Sequence, residues 1–187
     1  MLRLSSLLSA AVAVLVLAGG AVAQTKPFAI AGVGTGPQGL PFPGQAARPH
    51  NIVGVATHLG LHTGAGELLN DSIDSFDPVA GIITGKFHGT FTFERMNGDK
   101  LATTYGSSTP GTYTITVVGV TEGGDLIVTA FFVAEFVVDP SASTGKFAGV
   151  TGSWIMYAQT GPFVLGSTDS LDYGWVGEGT LTFPKKK

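Results

Sequence analysis

The residues of this chain whose types could do chemistry are few and widely spaced. Four histidines, His50, His58, His62 and His88, raise the question of a metal site. On a strand, however, His58 and His62 sit about 13 Å apart, too far to share one zinc, and only a turn at Gly60 could bring them together. The alternative expectation is that His58 bonds a backbone group at the end of the fold and the other histidines are solvated. Glu135 lies inside the apolar stretch Phe131 to Val138. Facing a cavity, it would be desolvated and available as an acid or base; facing outward, the preferred reading, it is a solubilising or subunit-contact charge. Asp71, Asp74 and Asp77 recur every third residue, which does not match the alternate-position ligands of a calcium loop, and they read as a solvated loop. Gly34-Thr35-Gly36-Pro37-Gln38-Gly39 has the form G-x-G-x-x-G, but Pro37, Pro41 and Pro43 and the lack of a following helix remove the dinucleotide-binding context. There is no G-x-S-x-G stretch and no Cys, so the usual hydrolase arrangements lack support. No cofactor and no metal are expected, and Glu135 and His58 remain the only catalytic candidates.

Strands must position these residues, because period-two alternation dominates and no segment keeps a helical period for three turns. From Gly81 to Met96, Ile83, Phe87, Phe91 and Phe93 share one face, while Thr84, Lys86, His88, Thr90, Thr92 and Glu94 share the other. Asn97-Gly98-Asp99 then gives a hairpin signal, since Asn-Gly accepts the positive φ angles of a type I′ turn, and Lys100 to Tyr105 returns antiparallel. Tyr113, Ile115 and Val117 alternate with threonines. In Leu126 to Val138 the even positions Leu126, Val128, Ala130, Phe132, Ala134, Phe136 and Val138 are all apolar and are expected to face the core. Leu171 to Phe183, Ile52 to Leu59, Leu68 to Phe76 and Trp154 to Gln159 bring the count to about eight. The Gly/Pro-rich segment 24–45 reads as an exposed lead-in with at most one short strand, the domain proper spans 46–184, and 185–187 is a basic solvated tail.

Eight strands joined by short turns leave edges to protect, and closure protects them completely. The expectation is therefore an all-β fold, a single antiparallel eight-stranded barrel, with a two-sheet sandwich as runner-up. Gly85, Gly89, Gly174 and Gly177 inside strands suit the sharp bends of a small barrel. Such a barrel is either filled by side chains or holds one small ligand. In Ser143 to Gly152, glycines flanking Phe147 and Ala148 let the chain turn tightly while Phe147 plugs one end.

The first 23 residues read as a signal peptide: Arg3 supplies the positive region, Leu7 to Leu17 the apolar run, and Ala21-Val22-Ala23 the small residues before a cut. A secreted or periplasmic protein follows from this, with no membrane span after cleavage. Small exported domains usually lean on disulfides, so a chain without Cys must be held by its core. A net charge of -3 and a pI near 5.7 do not favour a nucleic-acid partner. An eight-stranded outer-membrane barrel fits the size, but Thr-rich and charged second faces argue against a lipid-facing wall.

Three stretches carry a family resemblance: Ala56-Thr57-His58-Leu59-Gly60, Asn97-Gly98-Asp99-Lys100-Leu101, and Ser143-Thr144-Gly145-Lys146-Phe147-Ala148-Gly149-Val150-Thr151-Gly152. Together they resemble a large group of uncharacterised exported bacterial proteins whose barrel is similar to that of allene oxide cyclase and the plant dirigent proteins, a calycin-like architecture. The similarity spans roughly Asn51 to Phe183. Its most specific part is T-G-[RK]-F-A-x-x-x-G, where this chain carries Lys146 in place of the more usual Arg. The resemblance implies eight antiparallel strands and, in the named relatives, an apolar cavity and a trimer. The cyclase's catalytic residues lie outside these motifs, so none transfers. The functional expectation is binding of an apolar small molecule or a protein partner without catalysis; the alternative is an isomerase or cyclase acting on a lipid-like substrate in the cavity.

Overall fold

A computed structural model describes residues 23–38 and 42–185. The expected signal peptide up to Val22, and Lys186 and Lys187 of the expected tail, lie outside the described residues.

Among the described residues ten strands follow one another: β1 (Gln24–Pro37), β2 (Arg48–Ala56), β3 (Gly60–Asp77), β4 (Ile82–Arg95), β5 (Lys100–Tyr105), β6 (Gly111–Val120), β7 (Leu126–Val138), β8 (Thr151–Thr160), β9 (Phe163–Val164) and β10 (Ser170–Phe183). Every pairing is antiparallel, and the order β3-β2-β1-β10-β8-β7-β5-β4 closes on itself where β4 pairs with β3. The result is an all-β ring of eight strands in a single sheet. A 3-10 turn, Gly145–Phe147, lies between β7 and β8.

Two features of the ring differ from the sequence reading. Residues 24–37 of the expected lead-in form a long strand of the ring: β1 pairs with β10 from Gln24↔Phe183 to Pro37↔Ser170 and with β2 from Ile30↔Ala56 to Thr35↔Asn51, while the described residues 42–45 are exposed and outside any strand. The wall that closes the ring therefore starts well before Asn51. The count of eight survives because β5 and β6 share one place. β4 pairs with β6 through Ile82 to Phe87 and with β5 through Gly89 to Glu94, while β7 pairs with β6 up to Val133 and with β5 from Phe136.

Alternation sorts the side chains as expected from the pleat. Phe87, Phe91 and Phe93 of β4 are buried, as are Val128, Ala130, Ala134, Phe136 and Val138 of β7; Leu126, at the strand's start, is exposed. The interior tolerates this many aromatics because glycines face them across the ladder. Gly85 pairs with Tyr113, Gly89 with Tyr105, Gly34 with Tyr173 and Gly32 with Trp175. In the three tyrosine pairs the aromatic side chain lies where the glycine's Cβ would be, and at Gly32 the Trp175 ring approaches to 3.0 Å beside the closer Val53 carbonyl, a device known to pin strand register. Two of these rings also tie strands together: the Tyr105 hydroxyl donates to Glu67 O (2.8 Å) and the Tyr113 hydroxyl to Ser72 O (3.0 Å). No helix among the described residues is long and apolar enough to cross a membrane.

Candidate functional site

The two ends of the ring have different constructions. At one end the three motif stretches meet and close the floor. The chain turns between β4 and β5 at Asn97 and Gly98, but only Gly98 has positive φ (+86°), so the turn is not the expected type I′, which needs positive φ at both residues. Gly98 N donates to Arg95 O at 2.9 Å, and Asn97 holds Asp99 through its own amide (3.1 Å). Arg95 Nε donates to Leu59 O at 2.9 Å and its Nη1 reaches Asp99 Oδ2 at 3.4 Å. Gly145 sits at φ +58°, where a Cβ would collide with the Asp99 carboxylate. Gly152, at φ +132°, lets β8 begin against the Thr180 carbonyl of β10. Phe147, Leu59, Val150, Leu101 and Leu181 are all sealed from solvent beneath this turn.

His58 belongs to that floor. It occupies the left-handed region at φ +68°, its Nε2 bonds Pro27 O at 3.2 Å, and Lys146 Nζ donates to its carbonyl at 3.1 Å. Gly60, at φ +69°, completes the turn into β3. The bond to a backbone carbonyl is the role expected for His58, and Lys146 ties the Gly145–Phe147 turn to the same loop.

The expectation that the other histidines are solvated fails for two of them. His62 is 1% exposed, between Phe93 and Trp175, with Nδ1 on Gly60 O at 3.0 Å. Its pKa lies below the ordinary imidazole value because burial disfavours the charged form. His50 packs in the ring interior near the opposite end, edge-on to Tyr173. Burial, and then the positive charge of Arg48, push its pKa down to about 4. Only His88 is on the outside, paired with Asp71. The turn at Gly60 does not join His58 to His62: one caps the floor from below, the other is inside. Among the described residues no three His, Cys, Asp or Glu side chains gather as a metal would need.

The opposite end opens on a cavity of about 90 Å³. Phe87, Phe91, Phe93, Phe132 and Phe136 form much of its wall, with Met156, Ala130 and Ala158 beside them. Phe136 stacks on both Tyr105 (centroids 4.6 Å) and Trp154 (5.6 Å), which fixes the wall's shape. Arg48, His50, Asn70 and Tyr173 line the same cavity, with Tyr105, Tyr113 and Thr160 as its further polar side chains. The Arg48 guanidinium donates to Asn70 Oδ1 at 3.0 Å. Burial holds its pKa below the usual arginine value, and burial raises those of Tyr105 and Tyr173.

Glu135 is not at this cavity. It points to the outer face of β7, between inward-facing Ala134 and Phe136 and opposite Ile155 of β8. The three aspartates are on β3, not in a free loop: Asp71 pairs with His88, Asp74 with Lys86, and Asp77, at the strand's end, accepts from the amides of Val79 and Ala80 in the turn that follows. Gly34 to Pro37 are strand residues of β1, and Gly39 lies outside the described residues.

Sequence reasoning missed Arg48, Asn70 and Tyr173. The signal was present for the first: Arg48, His50 and Ile52 alternate onto one face of β2, so an arginine shares the inward side with a core isoleucine. The strand expected from the alternation begins only at Ile52, whereas β2 starts at Arg48. No protein-family model, curated protein or solved structure matches this chain.

Proposed function

We propose that this protein is exported and that its ring binds an apolar small molecule in the interior without transforming it. One observation carries the reading: the floor is sealed by Phe147 and its neighbours, while the opposite end leaves about 90 Å³ open among aromatic side chains. An apolar void of this kind favours an apolar occupant over water. Export is supported by the residues of the first segment and by β1 beginning at Gln24, directly after the expected cut. The cyclase or isomerase alternative has nothing in the site to favour it, because His58 and Glu135 both lie away from the cavity.

Titrating the protein with 3-phenylpropan-1-ol while following tryptophan emission tests the reading, since Trp175 lines the cavity and Trp154 packs behind its wall. A saturable change that is lost in a cavity-filling Ala158→Leu variant with an unaltered circular dichroism spectrum is expected. Emission that never saturates in the wild type overturns it.

A second reading, contact with a protein partner, is favoured by the outer wall. Val33, Val53, Val55, Leu61 and Val176 are each more than half exposed on adjacent strands, and contiguous apolar surface of this kind marks interaction sites. Self-association through that wall, in line with the trimer that the resemblance implies, is part of the proposal.

A further inference from the structure

Among the described residues, Arg48 is the one permanently charged side chain that lines the cavity, and no described Asp or Glu lines it with Arg48. None of the ion pairs found among the described residues includes Arg48; its hydrogen bond goes to the neutral amide of Asn70. Arg48 is only partly exposed, and a cation partly withdrawn from water without a counter-charge is costly. Arginine cannot escape that cost by giving up its proton. The guanidinium also presents a planar fork of N–H donors that matches a carboxylate two at a time, and a single bond to Asn70 leaves most of the fork uncommitted. Its surroundings are otherwise apolar or neutral: Tyr105 and Tyr113 bond backbone carbonyls of β3, and His50 is held in its uncharged form.

We infer that the occupant of the cavity is a small organic acid, with its carboxylate on Arg48 and its apolar body against the phenylalanines. This rests on the cavity reading above and adds the head group to it. The size is limited as well. An apolar cavity of about 150 Å³ holds one benzene ring, so about 90 Å³ together with the mouth admits a body of roughly one ring, not a long hydrocarbon chain. Asn70 positions the guanidinium, and it is neutral; an acid at that place would fill the role of the ligand's carboxylate.

The test compares 3-phenylpropanoate with 3-phenylpropan-1-ol, which share an apolar body and differ in head-group charge, by calorimetry at pH 7.5 on the wild type, Arg48→Gln and Asn70→Asp. The acid is expected to bind the wild type about tenfold tighter or more, the scale of a charge-assisted hydrogen-bonded contact. Both variants are expected to erase that preference, so that each binds the acid and the alcohol within about twofold of each other. Asn70→Asp retains Arg48 and the shape of the site, so it decides the matter if Arg48→Gln fails to fold. Equal binding of the two ligands by the wild type overturns this inference and leaves the cavity reading standing. A preference for the acid that survives both variants also overturns it, by placing the head group elsewhere. Binding of neither ligand overturns the cavity reading and this inference together.

Discussion

Phe147 and His50 show how differently a buried ring can act at the two ends of the molecule. Phe147 is wholly shielded, in a turn built by Gly145 and Gly149, so its removal leaves a void that the rigid floor cannot collapse into. Phe147→Ala is expected to destabilise by about 3–5 kcal/mol in a denaturant titration; a curve superimposable on the wild type would show that it is no plug. His50 is instead a source of pH dependence. The unfolded imidazole takes its proton near pH 6.5, whereas the folded one holds it off until about pH 4. Stability is thus complete above 6.5, falls as the pH drops from 6.5 to 4, and levels below that. The expected loss is on the order of 3 kcal/mol. His62, buried too, adds slope of the same sign, so the measurement is the difference between wild type and His50→Leu: stability curves of equal steepness between pH 7 and 4 would refute the assignment.

At the scale of the element, the strands depend on where side chains are missing. Gly89 of β4 faces the backbone of β3 and the ring of Tyr105 so closely that a Cβ would overlap Glu67 O. Gly174 of β10 looks into open space. Gly89→Ala is therefore expected to cost about 1–3 kcal/mol by overpacking, whereas Gly174→Ala should be neutral or slightly stabilising, since Gly in a strand interior is itself unfavourable. Paired thermal melts check this; similar shifts for the two variants would mean that the aromatic-over-glycine pairs do not set the register. The same logic explains β1. A run of Gly, Ala and Pro looks like a loop by composition, yet small residues are what allow β1 to lie against Tyr173, Trp175 and His50.

The whole molecule is two-sided on its exterior. The outward residues of β4 are Thr84, Lys86, His88, Thr90, Thr92 and Glu94, the polar face anticipated from the alternation. Across the ring the ladder instead aligns Leu61, Val55, Ala31, Val176 and Tyr157 in register on five successive strands. The Thr-rich outer face is thus a property of one side of the ring. If the apolar side is covered by further copies, Val55→Asp and Val176→Asp together should convert an oligomer to a monomer in light scattering after size exclusion, with the fold unchanged. A wild type that runs as a monomer at every concentration would remove that reading.

What the sequence determined by itself was local: the alternation that makes antiparallel walls, the Asn97-Gly98 turn, the Phe147 plug, and the inward set of β4 and β7. Each is written within a few consecutive residues, because the pleat repeats every two residues and a turn spans four. The tertiary structure decided which strand closes the ring, since Gln24 finds its partner in Phe183 at the far end of the chain. It also decided that β5 and β6 share one place, and that Arg48, Asn70 and Tyr173 converge on one opening. Periodicity carries no record of such long-range pairings, and a cavity exists only once walls from distant segments face each other.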